Sequence, residues 1–72
     1  MTIGESMRAA REKAGLSRNK LAQKSGVAVS CISVYERDQF EPKISKVEIL
    51  ADALGISIDE YIGHEVRTNV KR

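Results

Sequence analysis

Leu16-Ser17-Arg18-Asn19-Lys20-Leu21-Ala22-Gln23-Lys24-Ser25-Gly26-Val27-Ala28-Val29-Ser30-Cys31-Ile32-Ser33-Val34-Tyr35-Glu36-Arg37 is the stretch that decides the fold. Ser17 is an N-cap residue type, Leu21 and Ala22 fall on one inner face after it, and Gly26 stops the run. A second helical run follows from about Ala28 to Arg37, with Ile32 and Tyr35 facing inward. Two short helices that cross at about 90–120° through a tight turn make demands on residue size. Ala22 is small enough for close approach, and Gly26 accepts a positive φ without steric cost. Val27 and Ile32 fill the angle between the helices, and Leu21 ties the pair to the remaining core. The spacing Ala-x-x-x-Gly-x-x-x-x-x-Ile meets these demands together.

Working outward, the same punctuation repeats. Thr2 and Glu5 have the spacing of a capping box, and Ile3, Met7, Ala10 and Ala14 recur at helical intervals. With Gly15 as a stop, this predicts a first helix over about 3–14. Residues 38–42 form a polar loop, since Pro42 disfavours helix at the residue before it. Ile44, Val47, Leu50, Ala51 and Leu54 form the apolar stripe of a helix over about 44–54, ended by Gly55. Ser57 and Glu60 form a second capping box, opening a short helix with Ile58, Tyr61 and Ile62, ended by Gly63. No stretch reads as a strand. The expected architecture is all-α, with five helices in one domain over 1–63 and a polar, flexible tail over 64–72.

Composition narrows the function classes. At 72 residues, 31% charged and 42% hydrophobic, the chain has room for one domain with a small core. A single cysteine, Cys31, and a single histidine, His64, make no intrachain disulfide and no four-ligand zinc site. No metal and no cofactor is expected. The absence of a long apolar run argues against a membrane partner, and the first residues lack a secretory pattern. The default expectation is a reduced, cytoplasmic setting. No constellation of nucleophile, base and oxyanion donor is present, nor a glycine-rich phosphate loop, so an enzyme is not expected.

Charge is polarised along the chain. Residues 5–24 carry six cations against two acids, whereas residues 36–60 carry seven acids against three cations. A positive first third suits a phosphate backbone, although an uneven, solvated surface explains the same numbers. Cys31 reads as a small hydrophobe. Tyr35 and Phe40 are of a type that stacks on nucleic-acid bases, but Tyr35 reads better as core, at helical spacing from Ile32, and Phe40 as a loop anchor.

The words Ile3-Gly4-Glu5, Gly15-Leu16-Ser17, Leu21-Ala22, Gly26-Val27, Ile32-Ser33, Tyr35-Glu36-Arg37, Pro42, Leu50-Ala51-x-Ala53-Leu54-Gly55 and Asp59-Glu60 resemble the phage-repressor and Cro-like helix-turn-helix family. This family is also called the xenobiotic-response-element type. The resemblance runs from Ile3 to Gly63 and implies a five-helix lambda-repressor-like domain that binds double-stranded DNA, commonly as a homodimer that regulates transcription, with repression the expected sign. It further implies that Ser17 and Arg18 meet a phosphate at the start of the second helix. Val29, Ser30, Ser33 and Val34 would face base edges from the third helix, and Arg37, Gln39 and Lys43 would touch the backbone from the following loop. Arg11 and Glu36 would form an ion pair between the first and third helices. Ala22, Gly26 and Ile32 would be structural.

The third helix departs from the usual groove reader, which presents Arg, Lys, Gln or Asn for bidentate bonds to bases. Valine packs on a thymine methyl, and serine makes one weakly discriminating bond, so specificity would lean on methyl contacts, water and DNA shape. Asp38, standing where the family often has glycine, and Glu41 add negative charge near the expected phosphates. Two readings stay open. The chain is a DNA-binding regulator that dimerises through Ile58, Ile62 and Val66, or it is an antitoxin-like or accessory module whose protein partner covers Val29 and Val34.

Overall fold

The computed structural model describes residues 2–63. Five helices lie among them, α1 (Ile3–Lys13), α2 (Arg18–Ser25), α3 (Val29–Glu36), α4 (Ile44–Leu54) and α5 (Ile58–Ile62), and no strand. The expected tail over 64–72, with His64 and Val66, lies outside the described residues.

Local chemistry sets most helix ends. At α1, Thr2 Oγ1 accepts the Glu5 N–H at 3.1 Å and Glu5 Oε1 accepts the Thr2 N–H at 2.9 Å. Ser57 and Glu60 repeat this box at α5. Ser17 Oγ accepts the Lys20 N–H at 3.0 Å and starts α2. Gly26 closes α2 at φ 81°, and its N–H donates to the Ala22 carbonyl. By contrast, α3 and α4 start at Ala28 and Lys43 without a side-chain cap. Each cap contributes on the order of 1 kcal/mol.

The core takes residues from all five helices and the turn between α2 and α3. Met7, Leu21, Val27, Ile32, Val47, Leu50, Ala51 and Tyr61 are buried, with Ala22 and Tyr35 among the half-buried residues packed against them. So small a core makes each member expensive to lose; truncating Leu21 or Ile32 to alanine costs about 2–5 kcal/mol. Helix α1 lies against α3 and α5, α2 against α3 and α4, and α4 against α5. In this arrangement α3 keeps Ile32 and Glu36 inward and an opposite face outward.

The start of α1 is seated directly on the end of α3. A Cβ added at Gly4 would come within 2.6 Å of the Tyr35 and Glu36 carbonyl oxygens. The Asp38 backbone takes φ 60°, and its carboxylate accepts the Gly4 N–H at 2.9 Å and the Thr2 hydroxyl at 2.6 Å. Asp38 is therefore a second cap for α1 rather than a stray negative charge in the loop.

Two expectations of inward placement fail. Phe40, read as a loop anchor, is 67% exposed, and Ile44, read as part of the α4 stripe, is 61% exposed. Ile44 is the first residue of α4 and borders an open groove beside Ile58 and Ile62 of α5, which leaves it largely exposed. Phe40 lies in the loop after Asp38, at the rim of an open groove between Ile3 and Pro42.

Candidate nucleic-acid interface

Val29 and Ser30 are exposed in the first turn of α3. Ser33 and Val34, one turn on, are half-buried. Because α3 is only two turns long, its outward strip is narrow. Arg37, Gln39 and Lys43 are all exposed in the segment that joins α3 to α4. Ser30, Val34, Phe40, Lys43 and Lys46 border one open, mostly apolar groove that continues from the outer face of α3. Of the expected base-facing residues, Ser30 and Val34 thus share one groove with Lys43, whereas Val29 and Ser33 do not line it; Phe40, Lys46 and the acidic Glu41 complete its border.

At the start of α2, Ser17 is exposed and its hydroxyl serves as the cap. Helix N-termini leave amides without intrahelical partners, which favours an anion nearby. Lys20 and Lys24 are exposed on the same helix.

Beneath this surface sits a buried charged network. Arg11 donates from Nε to Glu36 Oε2 at 2.8 Å and from Nη2 to Oε1 at 3.1 Å, a two-pronged pair, while its Nη1 donates to the Leu16 carbonyl at 2.8 Å. One side chain of α1 thereby fixes both α3 and the loop leading to α2. Such buried pairs set geometry more than they add stability. The hydrogen bond it donates to Glu36 raises the Arg11 pKa further above its ordinary value. Arg18, expected only at a phosphate, also reaches Glu36, its Nε lying 3.0 Å from Oε1. Nothing local in the sequence signals this contact across 18 residues; it arises from the crossing of α2 and α3. The Tyr61 hydroxyl is buried nearby with no hydrogen-bond partner among the described residues. Burial, and then the Glu36 carboxylate, push its pKa well above the usual tyrosine value.

Among the described residues no group of His, Cys, Asp and Glu has a metal-holding arrangement, and Cys31 is a free, half-buried thiol. No helix among them is long and apolar enough to cross a membrane.

This geometry, two short helices joined by a glycine turn with the second presenting an open face, defines a helix-turn-helix protein. The chain belongs to the helix-turn-helix family, whose model matches residues 7–61. It is 35% identical over 65 residues to the immunity repressor protein of Bacillus phage phi105, covering 90% of this chain and 45% of that protein. Among solved structures, the restriction-modification controller protein C.AhdI from Aeromonas hydrophila is 34% identical with a TM-score of 0.79, over 82% of this chain and 86% of that one. The P22 c2 repressor protein, solved in complex with synthetic operator 9T, is 32% identical with a TM-score of 0.77, over 88% of this chain and 96% of that one. The chain spans from about a third to about half the length of the curated relatives it matches.

Proposed function

We propose that this chain binds duplex DNA sequence-specifically and represses transcription, with α3 in the major groove. The observation that carries the reading is the continuous surface formed by the outer face of α3 and the loop after it, on a domain of the same family and fold as the P22 c2 repressor solved with its operator. Val29 and Val34 supply apolar contact to thymine methyl groups. Ser30 and Ser33 supply single hydrogen bonds, and DNA shape provides the remaining discrimination. Ser17 and Arg18 at the start of α2, and Arg37, Gln39 and Lys43 in the segment after α3, hold the sugar-phosphate backbone and set the register.

Reading by so few polar groups favours two copies on one site. We assign the dimer contact to Ile58 and Ile62, half-buried on α5, and a two-fold dimer on B-DNA separates its recognition helices by about 34 Å. Replacing Ile62 with Asp should leave a monomer in sedimentation; an unchanged oligomeric state removes α5 from the interface. Exposure of Phe40 beside Val34 favours a second reading, in which a protein partner covers this apolar surface.

Amide shifts of the isotope-labelled chain during titration with duplex DNA test the placement. The expected changes fall on residues 17–20, 29–34 and 37–43. Changes confined to α4 and α5, or none at all, would contradict it.

A further inference from the structure

Glu36 serves two arginines at once. Its side chain is fully buried, and its Oε1 takes bonds from both Arg11 Nη2 and Arg18 Nε. One carboxylate offsets one guanidinium, so the trio carries a surplus positive charge. That surplus has one outlet. Arg11 is almost wholly buried, and its Nε, Nη1 and Nη2 all donate within the protein. The Arg18 side chain is 33% exposed and is held through Nε alone; its two terminal nitrogens have no partner among the described residues.

A guanidinium is a planar fork with five donors, suited to satisfying two acceptors on different edges. Fixing one edge to a buried carboxylate removes rotamer freedom that a loose side chain would lose on contact. Arg18 is also the first residue of α2, and its contact with Glu36 places it beside the C-terminal end of α3, away from the turn that joins the two helices.

We propose that Glu36 is a positioning residue for phosphate recognition: it grips Arg18 by Nε and presents the two terminal nitrogens, already oriented, to a DNA backbone phosphate. The inference rests on the DNA-binding reading and adds a mechanism to it. The same carboxylate that locks α1 to α3 then also sets where the backbone of the duplex lies relative to α3.

Glu36→Gln would strip Arg11 of its partner as well and put folding at risk, so Arg18→Lys is the deciding variant. A lysine ammonium serves Glu36 or the phosphate but does not reproduce the fork between them. The binding of the intact chain to a labelled, mixed-sequence duplex of about 20 base pairs is followed by anisotropy at several salt concentrations. Arg18→Ala should weaken binding about tenfold and lower the salt slope by about one. Arg18→Lys should lose most of the same affinity. In parallel, nitrogen-edited spectra follow the arginine Nε–H protons. The Arg18 signal should exchange with solvent more slowly than that of exposed Arg37, and should persist when duplex is added.

An Arg18→Lys chain that binds like the parent overturns the proposal, as does an Arg18→Ala chain that loses nothing. An Nε–H signal that exchanges as fast as Arg37, or vanishes on binding, does so too. A parent chain that binds no duplex at any salt overturns the DNA reading itself, and the positioning role with it.

Discussion

Gly4 and Tyr61 show how much single side chains decide in a core this small. At Gly4 the hydrogen is the only substituent that fits, because a methyl would press on two carbonyl oxygens of α3 at 2.6 Å. Alanine normally gains up to about 1 kcal/mol over glycine inside a helix; here overpacking should reverse the sign. Gly4→Ala is expected to destabilise the fold by about 1–3 kcal/mol in urea unfolding. Tyr61 works the other way. Its hydroxyl is buried without a partner, so Tyr61→Phe should be neutral or slightly stabilising at neutral pH. Because burial raises the folded pKa above the ordinary 10.0, folding favours the protonated phenol. That contribution is complete below about pH 10 and is lost as pH rises and the unfolded tyrosine ionises. The parent chain should lose stability above pH 10 more steeply than Tyr61→Phe, as read by thermal melts at pH 9, 10 and 11. Neither role was legible in the sequence. Gly4 sits inside a helical pattern with no positive φ to mark it, and an orphan hydroxyl is a property of packing. Asp38 did leave a sign, as a non-glycine where the resembled family often has glycine; the sign reads correctly once its carboxylate is seen capping α1.

At the scale of elements, the joint between α2 and α3 is the part most fully written into the chain. An added Cβ at Gly26 meets nothing within 4 Å, so the need for glycine there is entirely one of backbone, at φ 81°. Gly26→Ala should cost about 1–2 kcal/mol, and Gly26→Asn less, since asparagine tolerates the left-handed region; matched urea unfolding curves check the order. The start signals at Thr2, Ser17 and Ser57 and the stops at Gly26 and Gly55 were readable because capping is a contact between residues three or four apart. Facing directions at element ends were less so. Ile44 continues the α4 stripe by periodicity but opens the helix at the rim of a groove along α5 rather than under it, and Phe40 follows a turn whose direction is fixed by Asp38 reaching back across the fold. The outer strip of α3 was legible as a set of positions, whereas its junction with the groove bordered by Phe40 and Lys46 depends on where the α3–α4 loop passes.

For the whole molecule, a single buried carboxylate organises the functional end. Through Arg11 it fixes α1 and the loop before α2, and through Arg18 it fixes the start of α2, all relative to α3. The outer face of α3 offers valines and serines, so on the proposed reading its precision would come from how rigidly the scaffold holds α3. The Arg11–Glu36 half of the network followed from the resemblance; the Arg18 half required the folded arrangement, since nothing in local spacing joins residues 18 and 36.

Selection of bound duplexes from a randomised pool, at low and moderate salt, decides whether α3 reads duplex sequence. The expected result is a two-fold symmetric motif with half-sites one helical turn apart and thymines opposite Val29 and Val34. Ser30→Ala or Val34→Ala should change the preferred bases, and Arg37→Ala should weaken all sequences alike. Recovery of no motif, with binding that disappears as salt rises, would contradict sequence reading by α3 and reduce the interaction to charge alone.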